Sequence, residues 1–241
     1  MKIALVGTGR MGRMISECAA ARGVEVAGAY DANNIDELAQ LGPVDAVIDF
    51  SAPASLDAVE AYIRRTGAAL VSGTTGYTAD QLARIQALGD VAPVIQSANY
   101  SVGVAVLKRL AAIAAKQLGG DFDIEITETH HRMKADAPSG TAKLLVAAID
   151  PEGKRKVVNG REGMMKRTAG EGSEIGVHAL RGGTVAGVHT VSFFGEDEEV
   201  SLTHRAESRR IFALGALRAA QLLAPRAKGI YTLDTLLFPE A

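Results

Sequence analysis

The chain has 241 residues, 47% of them hydrophobic, with only 7 prolines, so it carries enough apolar material for two modest cores or one large one. Its 26 basic and 28 acidic side chains nearly cancel, leaving −2 and no general attraction to nucleic acid or to an anionic membrane surface. Cys18 stands alone, which excludes an internal disulfide and fits a reducing, cytoplasmic setting. No uninterrupted apolar run reaches the length of a membrane span, and the chain enters a strand at once rather than a signal peptide.

In chain order, 2–6 is a continuous apolar run and predicts a buried parallel strand. A helix is expected over 14–21, a strand over 24–30 ending at Asp31, a strand over 44–50 and a helix over 52–65. A strand over 69–72, a helix over 78–88 and a strand over 93–96 complete a β–α alternation. That spacing predicts right-handed crossovers in a parallel sheet.

The pattern changes after Ser97. An alanine-rich helix is predicted over 103–118, and 123–128 alternates Ile124 and Ile126 with Glu125 and Thr127. Strands over 174–180, 185–194 and 199–204 follow, separated by short turns, which predicts an antiparallel region. Helix returns over 209–223, and the tail to 241 is too short for a domain, so it is expected to pack back on the first one. The glycine-rich, basic segment 159–172 reads equally as a flap or a surface loop.

Two places carry chemistry. Gly7-Thr8-Gly9-Arg10-Met11-Gly12 lies directly after a strand and before a helix, the context in which glycines let a pyrophosphate approach a helix N-terminus. Asp31 ends the second strand nineteen residues later, where an acid accepts hydrogen bonds from ribose hydroxyls. Asp31 followed by Ala32, Asn33 and Asn34 favours NADH over NADPH, since a 2′-phosphate would meet a carboxylate; Arg10 and Arg13 could compensate. Loops after the fourth and fifth strands, Gly73-Thr74-Thr75 and Ala98-Asn99-Tyr100-Ser101, stand where such sheets line their ligand crevice.

The second place is 128–142, which packs His130, His131, Lys134 and a helix start into fifteen residues. His130 and Lys134, four apart, share a face, with His131 offset; a histidine passes protons near neutral pH and a lysine offers charge to a carboxylate. Ser139 suits an N-cap, so the amides at Gly140 and Thr141, with the Thr141 hydroxyl, form a carboxylate-binding corner. The remaining histidines, His178, His189 and His204, lack ligand spacing, so a metal site is not expected.

The run His130-His131-x-x-Lys134-x-Asp136-x-Pro138-Ser139-Gly140-Thr141-Ala142 is similar to the signature of the dihydrodipicolinate reductase family, also called 4-hydroxy-tetrahydrodipicolinate reductases, of lysine and diaminopimelate biosynthesis. The likeness extends through Asp49-Phe50-Ser51, Gly73-Thr74-Thr75-Gly76, 99–103, 175–183 and Ser208-Arg209. It implies an α/β fold: a Rossmann-like parallel-sheet nucleotide domain (1–102 and 208–241) and a central α+β domain (103–207) with a mostly antiparallel open sheet. That central domain would bind substrate and assemble a homotetramer.

By the same resemblance His130 is the proton donor, Lys134 supports it while holding a substrate carboxylate, and His131, Gly140 and Thr141 bind substrate. Residues Gly73 to Thr75 and Ala98 to Ser101 would contact the cofactor, and Arg209 would lie near the domain junction. The reaction implied is hydride transfer to ring C4, with a proton delivered to C3 and water lost from the hydroxylated precursor. Two departures stand out: Ala32 replaces a basic residue found in many members, pointing to NADH or dual use, and Val188 replaces a glutamate before His189. A related aspartate or homoserine dehydrogenase would not need the constellation from Lys134 to Thr141, and a non-catalytic NAD(H) sensor would have no use for His130 and Lys134.

Overall fold

The computed structural model describes residues 1–167 and 174–239, so the end of the 159–172 segment lies outside the described residues. The chain divides into two compact units, Met1–Val102 with Arg210–Ala241, and Gly103–Arg209.

The first unit is built on a six-stranded, all-parallel sheet. Its strands are β1 (Lys2–Val6), β2 (Glu25–Tyr30), β3 (Ala46–Asp49), β4 (Ala69–Ser72), β5 (Pro93–Gln96) and β11 (Gly229–Tyr231), in the order β11-β5-β4-β3-β1-β2. Ile3, Ala4, Leu5 and Val6 are all buried, as expected of a strand covered on both faces. Helices α1 (Arg10–Ala20), α2 (Leu56–Thr66), α3 (Ala79–Ala87) and α6 (Arg210–Leu223) supply the cover. α2 stops at Gly67, whose φ of 69° is the left-handed conformation that ends helices, and α3 starts in a capping box between Thr78 and Gln81. α6 buries a face of small residues, Ala213, Gly215, Ala216, Ala219 and Ala220, that permits close packing on α1 and the sheet.

The tail does return to this sheet, as β11 paired with β5 and then α7 (Leu233–Leu237). The strand order reverses between β1 and β3, and ligands of open parallel sheets bind at the carboxyl end of such a switch point.

The second unit holds helix α4 (Val102–Leu118, the first residue belonging to the other unit), α5 (Gly140–Ile149) and a five-stranded sheet. The strands are β6 (Asp123–His130), β7 (Val157–Asn159), β8 (Ile175–Arg181), β9 (Gly187–Phe194) and β10 (Glu199–Ala206), in the order β10-β9-β6-β8-β7. β9 runs antiparallel to both β10 and β6, but β6–β8 and β8–β7 are parallel, so the sheet is evenly mixed. Short turns make antiparallel neighbours only of β9 and β10; β6 inserts between β8 and β9. The β6-to-β8 connection carries α5, and a helix-bearing crossover brings the chain back parallel. Ile124, Ile126, Val191 and Phe193 on one face pack against Ala142, Leu145 and Leu107 of the helices. The opposite face carries hydroxyls paired across strands, Thr190 with Thr203 (2.9 Å) and Ser192 with Ser201 (2.5 Å).

Candidate active site

In the first unit the glycine loop occupies the switch point. Gly7 has φ of 100°, and a Cβ there would lie 2.2 Å from the Phe50 carbonyl oxygen, so the turn needs glycine on two counts. A Cβ on Gly12 would lie 1.8 Å from the Gly7 carbonyl oxygen, which fixes how tightly α1 leaves the strand. Gly9, the N-cap of α1, faces open space and offers the helix no side-chain cap. The positive helix end, reached over Thr8, Gly9, Arg10 and Met11, is thus left to an anionic ligand, and the cradle fits a nucleotide pyrophosphate.

Asp31, just past β2, is tied on both oxygens: Thr8 Oγ1 donates at 2.5 Å, and Asn33 donates through its backbone N–H at 2.9 Å and its side-chain amide at 3.0 Å. The Thr8 bond first, then Asn33, holds its carboxyl below the usual range, so a full negative charge stands where a ribose edge would lie.

The loops after β3 and β4 are braced by a polar cluster that the sequence did not announce. Asp49, almost fully buried, accepts from Ser51 Oγ (2.5 Å), Ser72 Oγ (3.1 Å) and Tyr77 Oη (3.0 Å). Burial, then the Asp49 charge, pushes the Tyr77 hydroxyl up to about 12, so it stays a donor. Thr74 is buried and accepts the Ser51 N–H at 2.9 Å, while Thr75 is exposed and Gly73 lies against the Phe50 ring. Asn99 caps the turn through Ser97 and Ser101, and Ala98 is exposed beside it. Tyr100 is a core side chain, its hydroxyl donating to the Ser72 carbonyl at 2.7 Å, so only its backbone is left to face a ligand.

In the second unit His130 ends β6 and is buried, while His131 leaves the sheet. Ile124, Ile126, Glu128 and His130 alternate onto the helix-covered face, so Glu128 and His130 emerge side by side. Glu128 is 0% exposed. Its Oε2 lies 2.5 Å from His130 Nδ1 and 2.8 Å from Arg181 Nη1, and its Oε1 accepts from Arg181 Nη2 (2.8 Å) and the Ser139 N–H (3.0 Å). Burial opposes ionisation here, but Arg181, His130 and Ser139 together hold the carboxyl below its ordinary range. His130 is drawn down by burial first, with Glu128 pulling the other way and Lys134 and Arg181 adding to the fall.

Ser139 caps α5, accepting the Ala142 N–H at 3.2 Å, and meets His189 Nε2 at 3.1 Å. The Gly140 and Thr141 amides thus open the helix next to the Glu128–His130 pair. The His189 ring stands edge-on to His130, centroids 5.1 Å apart. Lys134 lies in the turn beyond β6, its Nζ 2.7 and 2.9 Å from the Asp136 carboxylate, close enough for its charge to act on His130. His131 lines a hollow of about 540 Å³ together with Arg132, Gly183, Thr184, Glu207 and Arg209.

Glu128, Arg181 and His189 were not singled out for roles in sequence. Glu128 could have been, because it continues the buried period-two pattern as a charged residue; Arg181 could not, since its partner is 53 residues away. Among the described residues no group of three or more His, Cys, Asp or Glu side chains could hold a metal ion, and no helix is long and apolar enough to cross a membrane.

Family models of dihydrodipicolinate reductase match the chain twice, the N-terminal one over residues 1–100 and the C-terminal one over 103–237. The chain belongs to the dihydrodipicolinate reductase family. A 4-hydroxy-tetrahydrodipicolinate reductase from an Exiguobacterium species is 44% identical across 98% of this chain and 95% of its own. One from Archaeoglobus fulgidus is 40% identical across 98% and 100%. The dipicolinate-bound reductase of Paenisporosarcina sp. TG-14 superposes with a TM-score of 0.76 at 22% identity, covering 96% of this chain and 97% of that one, a likeness of fold. The reductase family accounts for both units, and the nucleotide-binding fold is that of an NAD(P)H oxidoreductase.

Proposed function

We propose that the chain reduces 4-hydroxy-tetrahydrodipicolinate to tetrahydrodipicolinate in lysine and diaminopimelate biosynthesis, with His130 donating the proton. The observation that carries this reading is the Glu128–His130 pair beside the N-terminus of α5, in a chain matched by the family over nearly its whole length. Reduced nicotinamide would supply a hydride to ring C4. His130 delivers a proton to C3 from Nε2, and water leaves from the hydroxylated precursor. One substrate carboxylate takes the amides of Gly140 and Thr141, with His131 at the edge. Lys134 exchanges Asp136 for a substrate carboxylate and adds positive charge as the ring becomes anionic.

The cofactor is preferentially NADH. Asp31 is held ionised by Thr8 and Asn33, and a 2′-phosphate would have to displace or repel it. The amides of Gly9 to Gly12 would hold the pyrophosphate, and the loops at Gly73 to Thr75 and Ala98 to Ser101 would flank the nicotinamide. The unit 103–209 binds substrate and also assembles the protein as a cytoplasmic homotetramer through the open face of its sheet, where Thr190, Thr203, Ser192 and Ser201 stand half-exposed or exposed.

The test couples the enzyme to substrate made in place from pyruvate and aspartate semialdehyde, following loss of nicotinamide absorbance with NADH and with NADPH. Substrate-dependent oxidation, with a larger kcat/KM for NADH, is expected. His130→Ala should lose about 10²–10⁴-fold in kcat while still binding NADH, the range for a positioned general acid. Nucleotide binding without turnover in the intact protein would refute the reading.

A further inference from the structure

The carboxylate behind His130 takes four hydrogen bonds, from His130, Arg181 twice and the Ser139 N–H. Glu128 is wholly buried and each of its oxygens takes two donors, so it is a fixed acceptor rather than a group free to rearrange. An ionised carboxylate has no proton to give, so the His130 nitrogen facing it, Nδ1, must carry the hydrogen. That leaves Nε2 as the only ring atom from which a proton can reach a ligand. Nε2 lies over Gly187, where a Cβ would come within 3.1 Å, so the path beside it stays clear because that residue has no side chain.

We propose that Glu128 and Arg181 are positioning residues for proton transfer: Glu128 locks the tautomer and ring plane of His130, and Arg181 balances the carboxylate so that His130 can both hold and release its proton. The proposal rests on His130 being the donor. The charge balance follows from geometry. An unopposed buried carboxylate at 2.5 Å would grip the imidazolium and make it a poor acid. Arg181 meets the same carboxylate with two parallel bonds at 2.8 Å, and this bidentate fork offsets that grip without occupying Nδ1. The remaining charged or titratable groups around His130 are Lys134 and Asp136 in the following turn and His189 on β9, with His204 of β10 beside His189. None of these contacts Nδ1 in place of Glu128.

The arrangement also joins two halves of the site. Ser139 gives its N–H to Glu128 and caps α5 with its hydroxyl, so the helix start that offers amides to a carboxylate is bolted to the group that aims the acid. Arg181 Nη2 further binds the Asp136 carbonyl at 2.6 Å, holding the turn that carries Lys134. One ion pair therefore fixes donor, anion cradle and lysine together.

The test is the pH profile of kcat in wild type, Glu128→Gln, Arg181→Gln, Arg181→Lys and His130→Asn. Activity that needs protonated His130 falls as pH rises through its pKa, giving an alkaline limb. Removing the carboxylate charge should move that limb to lower pH by about one unit or more, costing about tenfold in rate on its alkaline side. Removing the guanidinium should move it to higher pH, and Arg181→Lys should return it toward wild type. NADH affinity, a property of the other unit, should not change in any of them. A limb that stays in place in both Gln variants, with only KM or thermal stability altered, would overturn the proposal by reducing the pair to a structural brace. If Glu128→Gln does not fold, the upward shift in Arg181→Gln and its reversal in Arg181→Lys still decide. A limb that persists unchanged in His130→Asn would instead reject His130 as the donor, a separate failure.

Discussion

His189 should make the second unit acid-sensitive in a window where its carboxylates are not yet involved. The ring is 4% exposed and its pKa is pushed down from the ordinary 6.5 to about 4, by burial first, then by the charge of His130, with His204 and Lys134 adding and Glu128 opposing. An unfolded chain takes up a proton near the ordinary value, whereas the folded chain refuses it until about pH 4. Protons therefore favour the unfolded state between these limits: the contribution is complete above the ordinary value and is lost as pH falls. The full difference is worth about 3 kcal/mol, of which about 2 kcal/mol is lost between pH 7 and pH 5. Glu125, Glu128 and Asp136 have lowered pKa values and lose their stabilising charge only in more acid solution. His130 and His204 are also drawn down and act in the same direction, so acidification alone does not isolate His189. His189→Gln does, because the amide oxygen can still accept the Ser139 hydroxyl but does not titrate. Urea unfolding followed by circular dichroism, at the two pH values and for both proteins, should show the variant losing about 2 kcal/mol less than wild type. Equal losses would refute the assignment of a buried, neutral histidine.

Ser139→Ala removes both the α5 cap and the partner of His189, and should destabilise by about 2–4 kcal/mol in the same assay, whereas Ser139→Gly, which keeps most of the capping preference, should cost less. A loss confined to a few tenths would mean that the His189 contact contributes nothing. Gly7→Ala meets both a positive φ and the Phe50 carbonyl, so calorimetry should find NADH affinity reduced at least about tenfold, as a displaced pyrophosphate turn predicts; unchanged affinity would show that the loop can rebuild. Lys134→Ala should raise substrate KM about tenfold or more and lower kcat, through loss of a charged hydrogen bond; an unaltered KM would remove the lysine from carboxylate binding. Asp31→Ala should raise the kcat/KM of NADPH relative to NADH several-fold, and an unmoved ratio would locate cofactor choice elsewhere.

The two units were legible to different depths, for physical reasons. Buried parallel strands write themselves as unbroken apolar runs, so 2–6, 69–72 and 93–96 were readable to the residue. α1 begins at Arg10, four residues before the predicted start, because Arg10 and Arg13 interrupt the apolar pattern while the backbone turns straight from the glycine loop into helix. β11 left no pattern at all: it has three residues, with Ile230 exposed, and exists because β5 offers it an edge. β7 is equally short and depends on β8.

The site shows the same division. His130, Lys134 and the Ser139 cap were visible because their spacing is local, within one strand end and one helix start. The partners that give the site its direction come from elsewhere in the sheet: Arg181 from the parallel neighbour β8, His189 from the antiparallel neighbour β9. Their register is set by the hydrophobic face, Ile124 and Ile126 opposite Ile175, Val177, Val191 and Phe193, which aligns the polar ends of all three strands without any local signal. The alternation that buries Ile124 and Ile126 also carries Glu128 and His130 inward, so the packing that stabilises the sheet is what brings a hydrogen-bonded carboxylate–imidazole pair into its covered face. A one-residue slip of β6 would turn Glu128 and His130 to the open face and leave Arg181 without its carboxylate. Core register and the geometry of the Glu128–His130 pair are therefore a single structural choice in this chain.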